Sequence, residues 1–189
     1  MLWDFKIATE GENLVWLQVN KLFDENESEL EANQNLITKI KSISPDIEEV
    51  SPFFSGDAIL QNSNQGSMIS VTGIDPKTAT AIYENNSSSR STSLRNSLLT
   101  LSENTDTADK IPHIVIGTKL ADNLNLKIGD TITLVSILSD EGLAPLQMPF
   151  IVSGLFQSGR ALFDSKNVFI SIGNVQLFFS ITDKWIGLN

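Results

Sequence analysis

One imidazole, His113, occurs in 189 residues. Any Ser-His-Asp arrangement must use it, and a multi-histidine metal site is excluded. It directly precedes Ile114-Val115-Ile116, at the mouth of a strand, where a structural role is the simpler reading. There is no cysteine, which removes disulfides, thiol catalysis, iron–sulfur clusters and thiolate zinc sites. Phe54-Ser55-Gly56 and Val152-Ser153-Gly154 each lack the preceding glycine of a nucleophile elbow. Gly117-Thr118-Lys119 matches only the tail of a phosphate-binding loop, because the upstream glycine is missing, and no dinucleotide fingerprint occurs.

Carboxylates are the remaining candidates for chemistry. Among 23 acids some pair is available in any fold, and two carboxyls suffice for acid–base cleavage of a glycoside. An acid-pair carbohydrate-active enzyme is therefore the alternative from a different class. The three tryptophans that could form a sugar platform, Trp3, Trp16 and Trp185, all lie near the ends. Residues 24–57 hold nine acids against Lys39 and Lys41. That cluster reads as a solvated helix face with its flanking turn. A calcium loop alternates oxygen ligands around a glycine turn, and Asp24-Glu25-Asn26-Glu27-Ser28-Glu29 has no such glycine.

The length allows one domain, or one domain carrying a smaller insertion. A net charge of −10 argues against nucleic acid and against an anionic membrane surface. The longest apolar run is four residues, Leu14 to Leu17, far below the roughly 20 that a membrane span needs. Met1-Leu2-Trp3 is followed at once by Asp4 and Lys6, so no leader is expected here. Work outside the cytoplasm requires delivery by something beyond this sequence.

Leu14–Asn20 alternates as a strand, and residues 27–43 switch to helical spacing that Ser44-Pro45-Asp46 stops. Asp57–Asn62 and Met68–Ile74 form a hairpin through Asn64-Gln65-Gly66. Gly73 and Asp75-Pro76 turn the chain into a short helix, and residues 94–103 form a second helix after the polar run 85–91. From Ile111 the texture becomes short strands and tight turns: 114–117, a helical turn at 118–123, the turn Lys127-Ile128-Gly129-Asp130, and strand 131–136. A loop over 137–149 precedes the strand Phe150–Phe156. Gly154, Gly159 and Asp164 punctuate the exit before strand 166–172 and a buried helix over 175–181.

Four pieces taken together carry a resemblance. They are Val71-Thr72-Gly73-Ile74-Asp75-Pro76; Ile114 through Ala121 with Leu126-Lys127-Ile128-Gly129-Asp130-Thr131-Ile132; Phe150 through Gly159; and Phe163-Asp164 before Val168-Phe169-Ile170-Ser171-Ile172. Upstream, Asp46 through Pro52 is also similar. In this order and spacing, over roughly residues 13–180, the chain resembles the extracytoplasmic domain of LolC/LolE-type lipoprotein-releasing ABC permeases, within the wider MacB-like and FtsX-like family. Met1–Glu12 looks unlike that family, and Trp185–Asn189 falls where the family would begin a further strand and helix.

The resemblance implies an α+β fold in two parts. A Porter-like α/β part is expected from 1–72 and 165–189, and a Sabre-like, mainly β part from 73–164. It implies no enzyme and no cofactor in this domain. It places the domain on the periplasmic or extracytoplasmic face of a bacterial inner membrane. Transmembrane helices outside this chain would couple it to a second permease and to an ATP-binding subunit. A lipoprotein, or a LolA-like periplasmic chaperone, is the implied partner. In lipoprotein-releasing members a protruding loop, the Hook, recruits that chaperone, and by position it corresponds to 137–149. Here the loop is short and carries acidic Asp140-Glu141. Leu138, Leu143, Leu146 and Met148 exceed what such a loop can bury, and Pro145 would hold Leu143 and Leu146 stiffly. These five residues are the expected partner contacts. MacB-like efflux and FtsX-like signalling permeases are the alternatives within the family.

Overall fold

The computed structural model describes residues 2–9, 14–20, 37–63, 65–84, 89–104, 111–137 and 145–179. The fold is mixed α+β, as expected. Eight strands form one sheet: β1 Leu2–Thr9, β2 Leu14–Asn20, β3 Ile47–Asn62, β4 Gln65–Ile74, β5 His113–Gly117, β6 Thr131–Ser136, β7 Gln147–Phe156 and β8 Asn167–Ser171. The helices are α1 Pro76–Glu84, α2 Ser89–Leu99, α3 Thr118–Leu124, α4 Ala161–Asp164 and α5 Ile172–Phe178. A 3-10 helix, Thr100–Asn104, continues α2.

The sheet order β2-β1-β3-β4-β8-β5-β7-β6 gains one further pairing, β6 with β3. Six strands therefore close on themselves as a barrel, which removes two sheet edges. The closure is possible because β3 is 16 residues long. One edge of β3 pairs β4 from Phe53 to Asn62. Its other edge is shared: residues 47–53 pair β1, and Ala58 to Gln61 pair β6. β2 then extends the sheet outward from β1. Residues 14–20 and 167–171 thus lie in one sheet, and strands from both expected parts of the chain make up the barrel.

Alternation fills the barrel. Ala58 and Leu60 of β3, Ile69 and Val71 of β4, Val168 and Ile170 of β8, Ile114 and Ile116 of β5, Phe150 and Val152 of β7, and Ile132 and Leu134 of β6 form one core, none more than 1% exposed. Two inward residues per strand match the period-2 pleat. A ring this small leaves room only for side chains. β5 and β8 are antiparallel, so the helices that follow them, α3 and α5, cover opposite ends. Leu120, Ala121 and Leu124 of α3, with Leu126, join the core at one end, and Val175 and Phe178 of α5 join it at the other.

A second cluster lies outside the barrel wall. Ile74, Val115, Phe156 and Phe169 face Ala79, Leu94, Leu98 and Leu101 of α1, α2 and the 3-10 helix. Phe156 reaches that face because β7 skips a residue: Ile114 pairs Val152, but Val115 pairs Gly154. The bulge reverses which side chains point out. Hydroxyls complete the docking. Ser97 Oγ donates to the Leu155 carbonyl at 2.6 Å, and the Thr100 and Ser153 hydroxyls lie 2.8 Å apart.

Three expectations change. Leu2–Thr9, which no strand was expected to include, is a strand of the sheet. β3 begins ten residues earlier than the expected Asp57, at Ile47, although Pro52 lies inside it; an internal proline ordinarily argues against a strand. β7 begins at Gln147, so the connection to β6 shrinks to residues 137–146. The helix expected over 27–43 is described only at its end, where residues 37–41 are helical.

Candidate functional site

The connection between β6 and β7 leaves a firmly held root. β6 pairs β7 from Thr131↔Ile151 to Val135↔Gln147, and its other edge pairs β3 as far as Ala58↔Ser136. Beyond the last ladder pair, Ser136 N donates to the Leu146 carbonyl at 2.9 Å, and Leu146 N donates to Ser136 Oγ at 3.1 Å. Ser136 is buried. These bonds close the base of the loop on a strand that is itself held on both sides.

The expected contact residues divide. Pro145 is exposed and Leu146 is 40% exposed at the rim. Met148 lies across from Leu134, continues the inward row of Phe150 and Val152, and packs half-buried against the barrel core. Part of Met148 is therefore core. Leu138 and Leu143 lie outside the described residues. Ile137, which the sequence reading passed over, is 43% exposed beside Leu146. Its signal was its position immediately after the last residue of a strand, where the ladder no longer covers an apolar side chain.

The residues that could have supported chemistry are occupied with structure. His113 Nδ1 lies 3.0 Å from the Thr100 carbonyl, tying β5 to the 3-10 helix. Gly117 does not open a phosphate cradle: a side chain there would collide with the backbone of Asp164. The position is closed by packing rather than open to a ligand. Asp75 Oδ1 accepts from Lys77 N at 3.0 Å, beginning α1 with Pro76 in its first turn. Asp130 Oδ2 accepts from Lys127 N at 2.8 Å and fixes the turn before β6. Asp164, 2% exposed, accepts from Ser158 N at 2.9 Å and Ser158 Oγ at 2.6 Å. Among the described residues no group of three or more His, Asp or Glu could hold a metal ion. The acidic run from Asp24 to Glu31 lies outside the described residues. No described helix is long and apolar enough to cross a membrane.

The model of the MacB-like periplasmic core domain matches residues 4–187. The chain belongs to the MacB-like periplasmic core domain family. The match begins at residue 4 and so takes in β1, which corrects the reading of the first twelve residues as foreign to the family. A solved structure, the extracellular domain of the noncanonic ABC-type transporter YknZ from Gram-positive bacteria, is similar at 15% identity. It covers 95% of this chain and 78% of that one with a TM-score of 0.46. No curated protein matches the chain. The MacB-like core domain is an extracytoplasmic part of ABC transporter permeases of the MacB/FtsX kind. It is a transporter family rather than an enzyme family, and an ABC permease implies an ATP-binding partner.

Proposed function

We propose that this MacB-like domain works in lipoprotein release, as in LolC/LolE-type permeases. It would pass motion driven by cytoplasmic ATP hydrolysis to a lipoprotein or to a LolA-like chaperone on the extracytoplasmic face. The observation that carries the mechanical part is the filled barrel: twelve inward side chains, none more than 1% exposed, with a helix over each end. Interiors packed at this density resist deformation and transmit displacement. A displacement applied at one end of the barrel then reaches the opposite rim with little loss. The contact end would be the root of the 137–146 loop, where Pro145, Leu146 and part of Met148 stand, with Leu138 and Leu143 preceding them in the chain. Rigid presentation of apolar side chains lowers the ordering entropy of binding.

The division into 1–72 with 165–189 and 73–164 belongs to this proposal, as two mechanical units sharing one barrel. Native-state hydrogen exchange tests it. α1 and α2 should open at lower free energy than β3, β4 and β8, and a single opening free energy for all of them would remove the division.

Lipoprotein release separates from MacB-like efflux and FtsX-like signalling in reconstitution. The complete permease with its ATP-binding subunit is placed in proteoliposomes carrying a triacylated lipoprotein. ATP-dependent appearance of the lipoprotein in the soluble fraction with a LolA-like acceptor supports release. ATP hydrolysis with no lipoprotein leaving the membrane assigns the domain to one of the other two roles.

A further inference from the structure

The opposite end of the barrel carries a second apolar feature. The chain between β7 and β8 makes the one-turn helix α4, which presents Leu162 at 78% exposure, the most exposed large apolar side chain described. Phe163 beside it is 36% exposed and makes an edge contact with Phe156, ring centroids 5.9 Å apart. Met68 of β4, 60% exposed, is joined to the same place: Lys166 Nζ donates to its carbonyl at 3.3 Å, and Lys166 N donates to the Phe163 carbonyl at 3.2 Å.

This turn is stapled. The buried Asp164 carboxylate holds Ser158, and Ser158 Oγ accepts from Arg160 N at 3.2 Å. Asp164 N donates to the Arg160 carbonyl at 2.9 Å, and the Asp164 backbone lies against Gly117. A buried carboxylate thus fixes a turn whose leucine is exposed. Two exposed cations flank the apolar residues, Arg160 and Lys166. Among the described residues neither has a carboxylate within ion-pairing distance. In a chain of net charge −10, cations without a carboxylate partner beside exposed apolar groups mark a place that complements negative charge.

We propose that α4, with Met68, Arg160 and Lys166, is a docking site for an acidic, leucine-containing segment of a partner protein. The leucines cover Leu162, Phe163 and Met68, and the carboxylates meet the two cations. A bilayer is disfavoured as the occupant. The overall charge repels an anionic surface. The site is distinct from the 137–146 rim, because β7 runs from one to the other.

The test titrates the chain into a labelled synthetic helical peptide of alternating glutamate and leucine pairs, followed by fluorescence anisotropy at low salt. Binding should weaken at least tenfold in Leu162→Ser and in the double variant Arg160→Glu/Lys166→Glu, and at high salt. Melting temperatures should stay within a few degrees, since these side chains are exposed. Replacing the peptide's leucines with alanine should weaken binding similarly. Absence of peptide binding, or binding indifferent to both variants, overturns the proposal. Co-sedimentation with phosphatidylglycerol vesicles that Leu162→Ser abolishes, without peptide binding, overturns it in favour of a lipid surface.

Discussion

Val175 occupies the space that a side chain on Gly73 would need: a Cβ at position 73 would sit 2.6 Å from Val175 Cβ. Gly73 is the last inward position of β4 after Ile69 and Val71, and Val175 is one of the two buried residues of α5 that close that end of the barrel. The sequence suggested Gly73 as part of a turn. Its work is to let a helix sit down on the barrel mouth.

Gly73→Ala therefore overpacks the floor of the barrel. The expected loss is about 1–3 kcal/mol, the usual range for forcing a methyl into a filled core. Urea denaturation of the isolated domain measures it. The paired change Gly73→Ala/Val175→Ala should recover part of the loss, and a double variant less stable than both singles by the full sum would place the crowding elsewhere.

The stapled turn gives a second expectation. Asp164→Ala leaves Ser158 N and Oγ without their acceptor in a part-buried site. An unsatisfied buried donor costs about 1–3 kcal/mol. Amide exchange across residues 157–166 should quicken more than exchange in β3 or β4. Uniform quickening would show that Asp164 supports the whole fold rather than this turn.

Exposure separates core from rim. Phe150→Ala removes a fully buried ring and should cost about 3–5 kcal/mol. Leu146→Ser, at a side chain 40% exposed, should stay within about 0.5 kcal/mol of the parent. Thermal melts of the two variants side by side check both numbers. Comparable losses would make Leu146 a core residue and remove it from the contact rim.

The legible parts of the fold were those set by local pattern. Ile114-Val115-Ile116, Val168-Phe169-Ile170 and the hairpin 57–74 announce strands by β-branched and aromatic runs between turn residues. Closure of the barrel was not legible, because it rests on β3 pairing β6 across some seventy residues, and no local pattern records a long-range pairing. Pro52 concealed the first half of β3. At the candidate site, Leu146 beside Pro145 was visible as an apolar residue in a turn-rich stretch. The half-burial of Met148 was not legible, because its inward face follows from the β7 register with Phe150 and Val152, which begins three residues earlier than turn chemistry suggested. Leu162 went unremarked: Gly159 and Asp164 read as punctuation, and only the buried carboxylate shows that the turn between them is held in place.

The most direct measurement is ATP-driven lipoprotein release by the complete permease carrying Leu143→Ser/Leu146→Ser, with ATP hydrolysis and the domain's melting temperature followed in the same preparation. The expected result is at least a tenfold loss of release into a LolA-like acceptor, with hydrolysis and melting temperature held near the parent. Release at the parent rate, or loss of release together with loss of the fold, would contradict a partner contact at the β6–β7 rim.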